Sequence, residues 1–299
     1  MPPLFASMRL GLGLGFGNFR AGGGSTLPTE GGILYNGYIY HIFEADGELE
    51  VLADVEVDVL MVGGGGGGTM SESKYWTAGG AGGAGGLIYM TKVLTAGIYD
   101  INIGVGGLGS ASRSYSGSKG GNTEVLDSLG VGITPNHGEH PAYGGGGGIV
   151  YTGDATAGNG GSGGGISGRT TAAVGYGGNA LQNNIPEGIG FGNKGADRLS
   201  AFNPGGGGGG AGAAVPDKTR EGGIGIDMAT NYGFPTTVGA NGVFAEGGYG
   251  GVWPNPTFGH GGGSDTIDGL DGSGGGGGGN CDAPGGKGGD GIVIVRYAV

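Results

Sequence analysis

The sequence predicts an all-β, partly irregular protein: a small antiparallel β-sandwich formed by both ends of the chain, joined to a packed bundle of polyglycine II helices with loop excursions. Three observations lead there. Of 299 residues, 88 are glycine and 12 are proline, so a third of all positions interrupt regular structure and long helices are excluded. Runs rich in β-branched and aromatic residues flank the glycine-rich region on both sides, which a disordered low-complexity linker has no need for. The glycine itself falls into short tracts separated by excursions of ordinary composition.

Strand sequence occupies residues 36–43, 49–62, 86–94, 97–105, 122–126 and 291–299. Val55, Val57 and Val59 alternate with Glu56 and Asp58, and Ile98, Asp100 and Asn102 oppose Tyr99, Ile101 and Ile103. Such period-two patterns predict strands with one wet face. Thr95, Ala96 and Gly97 read as a hairpin turn between two of them. The last strand must return to pair with the first ones.

Between these lie glycine tracts at 63–68, 79–86, 144–148, 158–165, 205–210, 222–225, 247–251, 272–279 and 285–289. Glycine loses the most backbone entropy on ordering and has no side chain to bury, so order here requires dense backbone hydrogen bonding. Polyglycine II rods packed side by side supply it, because three residues per turn turn each N–H and C=O outward to a neighbour. A six-residue tract at about 3.1 Å per residue spans roughly 19 Å.

The net charge of −12, from 13 Lys+Arg against 25 Asp+Glu, has the wrong sign for a nucleic-acid or anionic-membrane partner. Cys281 is the single cysteine, which excludes an internal disulfide or a zinc ribbon, and its neighbour Asp282 is expected to raise the thiol pKa. No apolar run reaches membrane-spanning length, and no basic region precedes the apolar start, so neither a membrane span nor a secretion signal is expected. Residues 1–30, with their alternating Leu and Gly, read as a flexible arm ahead of a glycine-rich domain at 31–299.

Catalytic motifs fail. Gly104, Gly106 and Gly109 fit a dinucleotide-binding spacing, but the following "SASRSYSGSKGG" cannot start the required helix. Residues 286–288 lack the other parts of a phosphate loop. His137, Glu139 and His140 have the chemistry of metal ligands, although a solvated turn beside Pro135, Asn136 and Gly138 accounts for them as well. Asp265, Asp268 and Asp271 do not match calcium-loop spacing. The acidic residues Glu44, Asp46, Glu48, Glu50, Asp54, Glu56 and Asp58 read as a solvated face that also discourages edge pairing. The expectation is a non-enzyme with no cofactor and no metal site.

If each tract is one traverse from the strands or back, alternate excursions reach the far end. Counting from Val62, these are 69–78, 110–118, 133–143, 166–174, 213–221, 252–260 and 280–284. They would gather Tyr75, Trp76, Arg113, Tyr115, His137, His140, Arg169, Lys218, Arg220, Trp253, Phe258 and His260. Aromatic and Arg side chains on rigid supports suit a recognition surface, while the same aromatics as plugs capping the rods are the competing interpretation.

The strings "VDVLMVGGGGGG", "GGAGGAGGLIYMTKVLTAGIYDINIGVGG" and "GGDGIVIVRY" resemble the glycine-rich domain found in bacteriophage tail-fibre and virion proteins. The alternation of tract and loop is similar in design to the polyglycine II tip adhesins of T-even-like phages. The resemblance implies a virion protein at a fibre tip or capsid surface, attaching to a bacterial surface protein or glycan through the twelve far-end residues. It implies docking to other virion proteins through the N-terminal arm, and trimeric association by analogy. A purely structural stalk or decoration protein and an ice-binding protein are the other function classes, the latter opposed by the bulky excursions.

Overall fold

A computed structural model describes residues 32–71, 78–112, 114–134, 141–150, 158–168, 175–182, 184–185, 188–197, 204–217, 219–251, 261–262 and 267–299. The apolar runs become strands: β1 (Ile33–Tyr35), β2 (Tyr38–Phe43), β3 (Gly47–Val51), β4 (Val55–Val62), β5 (Met70–Ser71), β6 (Leu87–Leu94), β7 (Gly97–Asn102) and β8 (Glu124–Leu126). Further along come β9 (Gly188–Phe191), β10 (Ile226–Asp227), helix α1 (Met228–Tyr232), β11 (Val243–Phe244), β12 (Asn280–Cys281) and β13 (Ile292–Ala298). A six-stranded antiparallel sheet runs β1-β2-β13-β4-β6-β9, and a three-stranded antiparallel sheet runs β3-β7-β8. The described protein is thus mostly strand and irregular backbone with almost no helix. No helix among the described residues is long and apolar enough to cross a membrane.

One apolar core lies between the two sheets, where Val57, Val59, Met61, Met90, Val293 and Val295 meet Leu49, Val51, Tyr99, Ile101 and Val125. The other face of the six-stranded sheet is also covered. Leu60, Val62, Leu87, Ile292 and Ile294 pack under Met228, Phe234, Val238 and Phe244 from the segment holding β10, α1 and β11. The alternation read at 55–59 holds, with Glu56 exposed against buried Val57 and Val59, whereas 59–62 and 292–295 are continuous apolar runs because both sides are buried there. The helix within this strap is brief, with Asp227 accepting from the Thr230 amide at its start (2.7 Å) and Gly233 ending it in the left-handed region (φ 71°).

Two expectations change. The run at 49–62 is two strands, because the chain leaves the three-stranded sheet after Val51 and enters the other at Val55. Thr95, Ala96 and Gly97 do not close a hairpin either, since β6 and β7 belong to different sheets. Burial of Tyr99 explains the corner: its hydroxyl accepts from the Thr95 amide (3.1 Å) and donates to the Thr95 carbonyl (3.0 Å), so the chain turns over the ring. The Ala96 amide donates to Asp54 Oδ1 (3.0 Å), tying the two sheet-changing corners together.

The glycine tracts extend from the end of the sheets where Val62, Leu87 and Gly291 lie. Along 63–68 the amides address three neighbours in turn. Gly63 and Gly66 donate to the carbonyls of Gly86 and Gly83, Gly64 and Gly67 to those of Gly121 and Ser118, and Gly65 and Gly68 to those of Gly289 and Gly286. The carbonyls address three others: Gly64 and Gly67 accept from Gly145 and Gly148, Gly65 and Gly68 from Gly107 and Ser110, and Gly66 from Gly277. The direction repeats every third residue. Tract 79–86 behaves alike, with Ala81 and Ala84 donating to Gly206 and Gly209, Gly82 and Gly85 to Gly277 and Gly274, and Gly83 and Gly86 to Gly146 and Tyr143. These two tracts are therefore each enclosed by other backbone segments, and backbone amides stand where a protein core ordinarily has side chains.

Segment 104–110 lies at the periphery, so its rows differ. The Gly107 amide is bonded to Gly65, whereas Val105 and Leu108, 66% and 67% exposed, make no amide hydrogen bond among the described residues. Hydrogen exchange is expected to show Gly64, Gly66 and Gly107 among the slowest amides and Leu108, one residue from Gly107, among the fast ones. Uniformly fast exchange across 63–68 would contradict this arrangement.

Candidate functional site

Because the tracts traverse the bundle, their distal ends converge. Gly79 donates to the Asn280 carbonyl, Gly168 to Ala78, Gly251 to Gly79, Gly205 to Gly251 and Ser110 to Gly68. These residues border the excursions farthest from the sheets. A small buried polar frame stiffens this end. Thr69 and Gly80 exchange bonds, with the Gly80 amide donating to Thr69 Oγ1 (2.8 Å) and the Thr69 amide donating to the Gly80 carbonyl (2.8 Å). Strand β12 pairs in parallel with β5, Ser71 Oγ donates to the Asn280 carbonyl (3.2 Å), and Asn280 Nδ2 donates to the Pro284 carbonyl (3.0 Å), closing the turn at 280–284.

Two of the sequence-predicted recognition residues fall among the described ones. Tyr115 is 71% exposed, in a turn where its amide donates to the Ser112 carbonyl (3.3 Å). Arg220 is half-buried, and its carbonyl accepts from the Gly250 amide (2.7 Å) close to the Gly205–Gly251 contact. Tyr75, Trp76, Arg113, His137, His140, Arg169, Lys218, Trp253, Phe258 and His260 lie outside the described residues.

The parity count needs two corrections; one is that tract 205–210 runs from the distal end, where Gly205 bonds to Gly251, to the strap beside the sheets, where Ala211 bonds to Ala245, the reverse of the counted direction. The count also sends the excursion at 133–143 to the far end, yet the described borders of that excursion belong to the sheet end. Thr123 bridges Ala142, Gly120 bonds to Gly145, and Ile133 bonds to Val125 of β8. The count fails because β8 and its neighbours form a loop with both feet at the sheets, so no traverse separates 122 from 143. By contrast, the described borders Ser71 and Ala78, Ser110 and Gly117, and Gly279 and Gly285 lie at the distal end.

The motifs that fail as catalytic signatures have structural uses. Gly104, Gly106 and Gly109 sit in an extended segment, where Gly106 donates to Asp290 Oδ1 (2.7 Å). Asp268 and Asp271 are three residues apart and accept from the amides of Lys287 (2.7 Å) and Asp290 (3.0 Å), also three apart. Carboxylates thus complete hydrogen bonds along the rim of the bundle, where a backbone neighbour is missing. Asp265 lies outside the described residues. Cys281 is buried, and burial pushes its thiol pKa up, with the nearby Asp282 charge adding a lesser push in the same direction. Sequence adjacency points to Asp282 alone and misses the larger cause.

A second polar arrangement has little signature in the sequence. Thr91, Asp58, Arg296 and Tyr40 stand in one row across β6, β4, β13 and β2. Thr91 Oγ1 donates to Asp58 Oδ1 (2.8 Å), Arg296 Nε to Asp58 Oδ2 (3.0 Å), Arg296 Nη1 to the Tyr40 hydroxyl (3.2 Å), and that hydroxyl to the Gly233 carbonyl (3.1 Å). The guanidinium lies over the rings of Phe234 (4.2 Å) and Tyr38 (4.7 Å). The row therefore fastens the strap to the sheet. Only the lone cation in "IVIVRYA", opposite the acidic residue in "VEVDVLMV", hints at it.

A family described as Glycine-rich domain matches residues 46–298. No curated protein matches the sequence.

Proposed function

The chain belongs to the glycine-rich domain family, with the match covering most of its length, and from the resemblance of its strand and tract strings to phage fibre proteins we propose that it is a bacteriophage virion protein that attaches to the host through loops carried on a polyglycine II scaffold. In this reading the two facing sheets are a small β-sandwich, and the tracts are polyglycine II helices, an assignment supported by hydrogen bonding that turns through three directions and repeats every third residue. The single observation that carries the function is the convergence of excursion borders at the distal end, on backbone fixed by bonds such as Gly79 to Asn280 and Gly251 to Gly79. Variable side chains held on a rigid support lose little entropy on binding.

The receptor is a bacterial surface protein or glycan, the protein acts in the virion at a fibre tip or capsid surface, and it performs no catalysis. Residues 1–30 dock to other virion proteins and the assembled form is trimeric. The recognition set is Tyr75, Trp76, Arg113, Tyr115, Arg169, Lys218, Arg220, Trp253, Phe258 and His260; His137 and His140 are left out of it because the borders of their excursion, Ile133 and Ala142, bond beside the sheets. Replacing Trp76 and Trp253 together by Ala is expected to reduce binding of purified protein to host cells by about a hundredfold, as loss of two aromatic anchors does at an interface. Unchanged binding with an unchanged fold would leave the structural-stalk alternative.

A further inference from the structure

The larger sheet ends on one side in β1, and among the described residues that edge is open. Asn36 and Gly37, both in the left-handed region (φ 48° and 78°), make a two-residue turn, so Tyr35 and Tyr38 form a hydrogen-bonded pair and the next pair, Leu34 with Ile39, does not. The Leu34 amide and carbonyl therefore point away from β2, outward from the sheet. Edge strands in native proteins carry charge, proline or a bulge that discourages further pairing. β1 carries none of these, and its Ile33, Leu34 and Tyr35 are 45%, 49% and 36% exposed. Ile33 and Tyr35 stand on the strap side, opposite Tyr40 and Tyr38, yet the strap leaves them open to water.

A strand sequence that fits this edge precedes it in the chain. Leu10, Leu12, Leu14 and Phe16 alternate with glycine, the period of a strand with one apolar face and no side chains on the other. Residues 18–32, 15 in number, separate this stretch from β1. A β-hairpin loop needs only about 2–5. Extended, the connector reaches about 50 Å, roughly the diameter of a compact chain of this length, which suits a neighbouring copy rather than the adjoining edge. We propose that residues 10–16 of one copy add as a strand to the β1 edge of the next copy, laying their apolar face over Ile33 and Tyr35 while Leu34 exchanges hydrogen bonds with the incoming backbone. This rests on the reading of residues 1–30 as a docking arm, and names another copy of the chain as its partner. Each copy gives an arm and receives one, so the contact is head-to-tail and closes as a ring.

The test uses the full chain, followed by light scattering and by hydrogen exchange at the Leu34 amide. A discrete multiple of the 28.7 kDa chain mass is expected, with slow exchange at Leu34. Leu12→Asp with Leu14→Asp on the arm, and separately Leu34→Pro on the edge, should each raise the dissociation constant at least about a hundredfold and release monomer with an unchanged near-ultraviolet spectrum. The arm variant should also speed exchange at Leu34. A monomeric wild type with fast exchange at Leu34 overturns the pairing. A monomer with slow exchange there places the arm on its own chain and overturns it too, as does an oligomer indifferent to both variants. If the wild type is monomeric and the arm variant is lost from assembled particles, self-pairing falls while the docking arm stands.

Discussion

Replacing Gly82 by Ala is expected to abolish folding. A methyl group there would overlap the Gly66 carbonyl, and the obstacle is backbone, which cannot rotate aside as a side chain does. Gly82 also donates to Gly277 and lies in a tract bordered by bonded segments on all sides, so relief by local movement breaks several hydrogen bonds at once. Overpacking a side-chain core costs about 1–3 kcal/mol. Here the cost should exceed roughly 4 kcal/mol, a large share of the about 5–15 kcal/mol that holds a domain together. The control is Leu108→Ala: that side chain is 67% exposed, and the change should stay within about 0.5 kcal/mol. A cooperative urea transition for Gly82→Ala at the wild-type midpoint would show that the tracts are not packed backbone to backbone.

Arg296→Met is expected to be the most damaging single change in the sheets. It leaves Asp58 without its cation, and removes the guanidinium held between Phe234 and Tyr38. Breaking one half of a buried pair costs about 3–5 kcal/mol. The double variant Arg296→Met with Asp58→Leu should regain most of that loss, because no charge is then left without its partner. Denaturant midpoints of the two single variants and the double decide the matter. A double variant as unstable as the sum of the singles would mean that the ring contacts, rather than the charge pair, carry the effect.

Much of the sheet framework was legible in the sequence, since β-branched alternation at 55–59 and 98–103 states both strand and facing. What periodicity cannot state is which strands share a sheet. Gly97 follows β6 closely enough for a hairpin, and only the burial of Tyr99 with its hydroxyl on Thr95 sends β7 across the core. The strap was invisible because Met228, Phe234, Val238 and Phe244 are spaced irregularly, each matched to the sheet beneath.

The glycine region carries a signal that composition hides. Ala78, Ala81 and Ala84 recur every third position, as do Val105 and Leu108, Asp268 and Asp271, and Lys287 and Asp290. In the first set one row of a tract accommodates a methyl; in the others, one row faces water. The identity of the residue at every third position therefore separates inner tracts from outer ones, methyl marking the first and charge or bulk the second. Parity counting failed where it treated every excursion as a crossing, since Thr123 and Ala142, on either side of one excursion, pair with each other beside the sheets.

The position of β13 between β2 and β4 has a temporal consequence. Asp58 and its partner Arg296 are separated by 238 residues, and every strand pairing at the centre of the larger sheet waits on that distance. During synthesis, β2 and β4 emerge early and face an empty slot until the closing strand leaves the ribosome. Such long-range closure makes folding slow and largely post-translational. It also means that a product interrupted anywhere in the glycine tracts lacks the strand that pairs with both β2 and β4, and so leaves two sheet edges open.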